Sequence, residues 1–325
     1  MQADSFPRWV GDVGGTNARF ALQLAPGAGL SHVDTLPAAD HPTLEAAMAA
    51  YLARNAPATR PRWCAIGIAN PIVGDQVQMT NHHWSFSIEG VRRQLGLERF
   101  LVINDFTALA LSLPSLKAGE LRQVGGGAAV DGAPVGLIGP GTGLGVSGLL
   151  RVPGTQRVVP LNGEGGHVSL AGATPREDAV IAVLRQRFGH ASAERGALSG
   201  QGLVNLYEAL CAVDRANAQA LTAAEVSERA VAGTDAHCVE ALDLFFALLG
   251  SVAGNLALTL GARGGMYIGG GIVPRLGDRI DRSSFRERFV AKGRFRAYLE
   301  AMPTFVVQAS TSPALLGALR ALDDL

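Results

Sequence analysis

Apolar and polar positions along this chain switch between two rhythms, and the switches mark its elements. Arg8 to Val13 and Ala18 to Leu24 are β-like runs separated by Gly14-Gly15-Thr16-Asn17, a turn sequence that predicts a hairpin. Leu44 to Arg54 carries apolar residues at helical spacing, whereas Trp63 to Ala69 is an unbroken apolar run that stops at Pro71 and predicts a buried strand. Ile88 to Leu95 predicts a helix, with Ser87 as N-cap and Gly96 just past its end. Phe100 to Ile103 is a short apolar strand that ends at Asn104-Asp105.

A second series opens with the strand Val135 to Ile138 and the run Gly139-Pro140-Gly141-Thr142-Gly143-Leu144-Gly145. Two helices carry capping-box sequences: Thr174 with Pro175 and Glu177, closed by Gly189, and Thr222 with Glu225, closed by Gly233. A long helix from Ala236 to Leu260 follows, then a strand at Met266 to Ile268, the cluster Gly269-Gly270-Gly271 and a late strand at Thr304 to Val307. Strands alternating with helices define an α/β class in which helices pack on sheets. Each half opens with an apolar strand, a Gly/Thr turn and a second β-like segment, which predicts two related lobes with a cleft between them.

Composition narrows this picture. The 325 residues suffice for about two domains, and 48% hydrophobic against 17% charged residues reads as globular. Twenty-eight basic residues balance 28 acidic ones, so no charge excess points to nucleic acid or an anionic membrane. Cys64, Cys211 and Cys238 are far apart and form no zinc or disulfide spacing, which fits a reducing cytosol. Met1 to Trp9 lacks the basic and apolar stretches of a signal peptide. Leu244 to Leu260 is uncharged for 17 residues, but Gly250, Ser251, Gly254, Asn255 and Thr259 read as a core helix whose glycines allow close packing, not as a membrane span.

The candidate chemistry gathers at glycine clusters. In Gly11-Asp12-Val13-Gly14-Gly15-Thr16, glycines can take positive φ and bring backbone N–H groups close to a phosphate. Thr16 adds a hydroxyl, and Asp12, at a strand end, can hold Mg²⁺ directly or through water. An ordinary hairpin turn explains the same residues. Gly139 to Gly145 repeats the ingredients, including Thr142, and Gly264 to Pro274 places glycines around a strand where an adenine ring could lie. A Walker A loop is absent, because the only lysines, Lys117 and Lys292, follow Leu116 and Ala291. Gly143, Gly145 and Gly148 fit a GxGxxG string, but Leu149, Leu150 and Val152 continue a strand where dinucleotide binding needs a helix.

Asp105 follows a buried strand, where a carboxylate can accept a hydroxyl proton; a helix cap is the alternative. Gly163-Glu164-Gly165-Gly166-His167 offers an acceptor and an imidazole for vicinal sugar hydroxyls. A metal site at His167 lacks supporting ligands. Glu194 either completes a sugar cage or pairs with Arg195 on the surface. Asn81, His82 and His83 offer ligand contacts, and Trp84 reads as core.

The strings GDVGGTNARFAL (11–22), MTNHHWSFSI (79–88), INDFTALA (103–110), GPGTGLGV (139–146), GEGGHVSL (163–170), LSGQGLVNLY (198–207) and GGMYIGGGIVP (264–274), in this order, resemble the bacterial glucokinases of the hexokinase–actin–Hsp70 superfamily over nearly the whole chain. The resemblance implies two ribonuclease-H-like lobes of the actin-like ATPase kind around a central cleft, a small lobe from 1–113 plus 304–325 and a large lobe from 114–303. It implies ATP-dependent phosphorylation of glucose, with Asp105 as base and Asn104, Glu164, His167 and Glu194 as glucose ligands. Gly11, Asp12, Val13, Gly14, Gly15 and Thr16 resemble the first phosphate segment, Gly141, Thr142 and Gly143 the second, and Gly269, Gly270 and Gly271 the adenosine segment. It further implies Mg²⁺ dependence, a cytoplasmic location and a homodimer. The Cys-rich zinc cluster of the ROK branch is missing, so zinc is not expected, and Asn70 in the variable Ala-Asn-Pro segment is given no role. A kinase for another hexose, a sugar-independent ATPase clamp and a silent sugar sensor are the alternatives.

Overall fold

In the computed structural model the first apolar run, Arg8–Val13, is strand β1, and it forms a hairpin with Asn17–Gln23 (β2), pairing Val13 with Ala18. The structure describes residues 5–55, 57–309 and 312–324. The chain continues through Ser31–Pro37 (β3), Leu44–Asn55 (α1), Trp63–Ile68 (β4), the short strands Gln76–Gln78 (β5) and Ser85–Ser87 (β6), Ile88–Gln94 (α2), Arg99–Asn104 (β7) and Asp105–Ser112 (α3). Next come Leu121–Val124 (β8), Val135–Pro140 (β9), Leu144–Arg151 (β10) and Val158–Gly163 (β11). Helices then dominate: Pro175–Phe188 (α4), Ala193–Gly196 (α5), Gly200–Val213 (α6), Ala223–Ala232 (α7) and Ala236–Leu260 (α8). The last elements are Met266–Ile268 (β12), Ile272–Arg275 (α9), Arg279–Arg282 (α10), Phe285–Val290 (α11), Arg296–Glu300 (α12), Thr304–Val307 (β13) and Pro313–Asp324 (α13).

Contacts divide these elements into two units. One comprises Met1–Lys117, Gly154–Asn162 and Ala309–Leu325, the other Ala118–Pro153 and Gly163–Gln308. The first unit holds a sheet in the order β3-β2-β1-β4-β7. β4 is parallel to both β1 and β7, which explains its unbroken apolar run: a strand with parallel neighbours is covered on both faces. Cys64, Ile66 and Ile68 join a core with Trp9, Phe20 and Tyr51. On the other face Ala65 joins Leu315, Ala318 and Leu322 of α13.

In the second unit β10, β9, β12, β13 and β8 lie side by side in that order. Its core includes Leu203 and Leu206 of α6, Phe245 and Leu249 of α8, and Phe285 and Phe289 of α11. The uncharged stretch of α8 is a core helix, as its glycines suggest. A Cβ at Gly250 would overlap the carbonyl oxygen of Phe285, and one at Gly254 would lie 2.5 Å from that of Phe289, so α11 approaches α8 where side chains are missing.

Two expectations need correction. Thr304–Val307, grouped with the first lobe from the sequence, pairs with β12 in parallel and β8 antiparallel. Its apolar pattern fits any buried strand and does not say which sheet takes it; the chain rejoins the first unit only at Ala309. The second concerns α4. Thr174 caps it through the N–H of Glu177, and Gly189 closes it at φ 76°, but Glu177 does not complete a capping box. Its carboxylate accepts instead from Ala173 N–H at 2.8 Å and from both terminal nitrogens of Arg288. Burial works against the charge of Glu177, yet the bonds from Arg288 and Ala173 prevail and hold its carboxyl below the usual range. Thr222 and Glu225 do form the reciprocal box at α7.

Arg288→Ala would strand the Glu177 carboxylate, which is only 3% exposed. Removing one partner of a buried pair costs about 3–5 kcal/mol. The expected result is an unfolding free energy, read from urea titration, lowered by about that amount, with Arg288→Lys recovering part of it.

Candidate active site

In the first unit the carboxyl ends of β1, β4 and β7 share one edge, because Asp12 is paired with Gly67, and Gly67 with Ile103. Ligands in parallel sheets collect at this edge. Asp12 lies one residue before the end of β1 there, and Asn104-Asp105 turns β7 into α3. Gly67 leaves room between them: a Cβ on it would lie 3.0 Å from Cβ of Ala108 and 3.7 Å from Cα of Asp105.

The helix cap in this turn is Asn104, not Asp105. Oδ1 of Asn104 accepts from the N–H groups of Phe106 and Thr107 at 2.9 and 3.2 Å, while its Nδ2 donates to Asp105 Oδ1 at 3.0 Å. Phe106 N–H also donates to Asp105 Oδ1, at 2.9 Å, so both of these bonds fall on one carboxylate oxygen. Burial raises the Asp105 carboxyl to about 6, the negative charge of Asp12 adds to the rise, and the Phe106 and Asn104 bonds oppose it. A carboxylate with a raised pKa and one oxygen held is suited to take a proton near neutrality.

Asp12 accepts from Ser312 Oγ through Oδ2 at 2.6 Å. The adjoining turn closes with Gly14 N–H donating to Asn17 O at 2.9 Å. Neither Gly14 nor Gly15 takes positive φ, contrary to the sequence reading of this turn. Glycine is required at position 15 for room, since a Cβ there would meet the Asn81 carbonyl oxygen at 2.6 Å. Thr16 is exposed.

The second unit repeats the device. Gly139 to Gly145 is the tip of the β9–β10 hairpin, closed by Gly141 N–H to Gly143 O at 2.8 Å. Gly141 O accepts from Gly200 N–H, at the start of α6, at 2.9 Å, and Thr142 is exposed. Of Gly269, Gly270 and Gly271, only Gly270 has positive φ, 74°, and a Cβ on it would overlap the carbonyl oxygen of Pro140. The third glycine cluster is thereby packed against the strand that leads into the second.

The Gly163–His167 loop passes over β10 just as closely: a Cβ at Gly165 would meet Val146 at 2.7 Å, and one at Gly166 would overlap Leu144 O. Two glycines press the backbone down, and Glu164 and His167 stand out exposed. Glu194, on α5, accepts through Oε2 from Leu144 N–H at 2.9 Å. It is therefore tied to the β9–β10 hairpin rather than paired with Arg195, whose guanidinium lies over the Phe188 ring. Trp84 is core, 1% exposed, and donates to His41 O at 3.0 Å. Asn70, given no role from the sequence, is buried beside Asn104 and supplies its carbonyl to Asn104 Nδ2 at 3.3 Å. Only its place between a buried strand and Pro71 hinted at this.

An α/β fold with these glycine turns and strand-end carboxylates is the actin-like ATPase fold of the sugar kinases. Within that class the chain belongs to the glucokinase family, whose model, described as Glucokinase, matches residues 9–325. It is 58% identical to a glucokinase of Aromatoleum aromaticum, over 99% of this chain and 96% of that one. It is 56% identical to a glucokinase of Chromobacterium violaceum, over 99% and 90%. A crystal structure of a glucokinase from an Antarctic psychrotroph superposes with a TM-score of 0.89 at 37% identity, covering 98% of this chain and 99% of that chain.

Proposed function

We propose that this chain carries out its family's reaction, transferring the γ-phosphoryl group of ATP to the 6-hydroxyl of D-glucose to give ADP and glucose 6-phosphate. The observation that carries the reading is Asp105, a carboxylate at the carboxyl edge of a parallel sheet, held by one oxygen and raised to a pKa of about 6. Asp105 removes the proton of the attacking hydroxyl as the oxygen closes on phosphorus. Phosphoryl transfer otherwise asks for positioning and charge stabilisation. The turns at Gly11–Thr16 and Gly139–Gly145 present backbone N–H groups and the exposed hydroxyls of Thr16 and Thr142 to phosphate oxygens. The Gly269–Gly271 segment takes the adenosine. Glu164, His167 and Glu194 orient the sugar, while Asn104, whose amide is fully engaged by Asn70, Asp105, Phe106 and Thr107, acts by holding Asp105 rather than as the direct glucose ligand the resemblance implies.

Mg²⁺ fits the residues of the first unit. Among the described residues the bond that Asp12 accepts is to Oδ2, from Ser312, and such ions take one or two carboxylates and complete their shell with water and phosphate oxygens. When bound, Mg²⁺ supplies positive charge to the β- and γ-phosphate oxygens. A homodimer in the cytoplasm, as the family implies, belongs to the same proposal, and sedimentation equilibrium reads the assembly.

ADP release from Mg-ATP, measured with and without each of glucose, mannose, fructose and N-acetylglucosamine, tests the reading. A glucose-dependent rate with glucose 6-phosphate formed supports it. A rate indifferent to sugar would move the chain to the clamp class. His167→Ala and Glu164→Gln are each expected to raise KM for glucose about tenfold or more, the scale of one charged hydrogen bond, while KM for ATP stays within about twofold. Titration of initial rates against each substrate separates the two.

A further inference from the structure

We infer that Asn70 is a positioning residue for Asp105, acting through Asn104; the inference rests on the reading of Asp105 as the base. Asn70 is 8% exposed and lies two residues past Ile68, the last residue of β4, which is paired with Asn104 on β7. Each polar group of Asn70 is engaged. Its N–H donates to Ile68 O at 2.7 Å, its Nδ2 donates to Pro71 O at 3.2 Å, and its Oδ1 accepts from both Thr80 N–H, at 3.0 Å, and Thr80 Oγ1, at 2.7 Å. The residue before a proline is also confined to extended backbone. The Asn70 carbonyl is thus held in one direction, and it accepts from Asn104 Nδ2.

That acceptor is one of four groups that together fix which way the Asn104 amide faces. Asn104 Nδ2 has two hydrogens, one for Asn70 O and one for Asp105 Oδ1, while its Oδ1 faces two N–H groups. Turning the amide over would set an oxygen against two oxygens and an NH₂ against two donors, four mismatches at once. With Asn70 O in place, Asn104 can only donate to Asp105 Oδ1, and the carboxylate is kept from rotating. The same clamp holds Thr80, whose neighbour Asn81 sets its carbonyl against Gly15 in the first phosphate turn.

The test uses the whole enzyme. Displacement of a reacting group by about 1 Å can cost on the order of 10²-fold in rate. Asn70→Ala is expected to lower kcat about tenfold or more, with KM for Mg-ATP within about twofold of the parent. Thr80→Val, which loses the hydroxyl donated to Asn70 Oδ1, should move kcat in the same direction, and Thr80→Ser should keep it. Thr80 is exposed, so this pair reads the clamp even if Asn70→Ala fails to fold. An unchanged kcat in Asn70→Ala or Thr80→Val would overturn the inference, as would equal losses in Thr80→Val and Thr80→Ser. Asp105→Asn, run in parallel, separates the two readings. If it retains turnover, the assignment of the base fails; if it is inactive while Asn70→Ala and Thr80→Val are normal, only the role of Asn70 fails.

Discussion

Asp105→Asn is expected to lower kcat by about 10²–10⁴-fold, the contribution of a positioned general base, and to leave the dissociation constant for glucose nearly unchanged. Asparagine keeps the shape of the side chain, and its Oδ1 still accepts from Asn104 and from Phe106 N–H. What disappears is the basic oxygen. Rapid-quench measurement of phosphoryl transfer, with calorimetric titration of glucose, distinguishes lost chemistry from lost binding. A variant that turns over at the parent rate would remove Asp105 from this role. In the parent enzyme kcat/KM should rise with pH through about 6, because burial raises the Asp105 carboxyl to that value and only the ionised form accepts a proton.

The same substitution has a stability consequence of opposite sign. The Asp105 carboxyl is raised from 3.8 in the unfolded chain to about 6 in the fold, so the native state favours the protonated form. That contribution is full below the unfolded value and is lost as pH rises through about 6, leaving a charge that opposes folding at neutral pH. Asp105→Asn should therefore be more stable than the parent at pH 8, by on the order of 2–3 kcal/mol at 1.36 kcal/mol per pKa unit, and show little gain at pH 4. Thermal unfolding at the two pH values checks the sign. A residue that costs stability when charged and is needed charged for turnover is kept for its chemistry.

Gly317→Ala carries the second large effect. On a helix, Ala in place of Gly normally stabilises by about 1 kcal/mol. Here the added Cβ would overlap the carbonyl oxygen of Ala108, a backbone atom of α3 that cannot swing aside. Overpacking costs about 1–3 kcal/mol and occasionally more, and a clash with backbone belongs at the upper end. The expected outcome is net destabilisation of about 3 kcal/mol in urea, with reduced turnover, because α13 can only relieve the clash by moving away from the helix that begins with Asp105. An unchanged midpoint would show that the two helices do not depend on this approach.

The elements most legible in the sequence are those whose signals are local. The hairpin at residues 8–23, the ends of α8 and the strand Met266–Ile268 stand where turn glycines, caps and apolar runs put them. The candidate site was legible mainly through the glycine strings, and for a reason that differs from the expected one. Gly15, Gly165 and Gly166 are needed because neighbouring backbone or side chains occupy the space of a Cβ, not because of positive φ. A sequence shows the glycine but not the neighbour. The same blindness hid Glu177, whose partner Arg288 is 111 residues away, and Asn70, whose partners Thr80 and Asn104 come from a loop and from the end of β7. Thr304–Val307 was visible as a strand but not as a member of its sheet, since a four-residue apolar run carries no information about register with β12 and β8.

The packing of α13 on α3 also sets an order of events during synthesis. Pro313, where α13 begins, is made about 200 residues after Asp105, where α3 begins. At ribosomal rates of about 5–20 residues per second, that interval is roughly 10–40 seconds. Throughout it the β-sheet of the first unit lacks the helix whose Leu315, Ala318 and Leu322 cover Val10 and Ala65. The nascent chain carries an uncovered apolar face for much of its manufacture, a period in which a chaperone that recognises such faces would find its substrate.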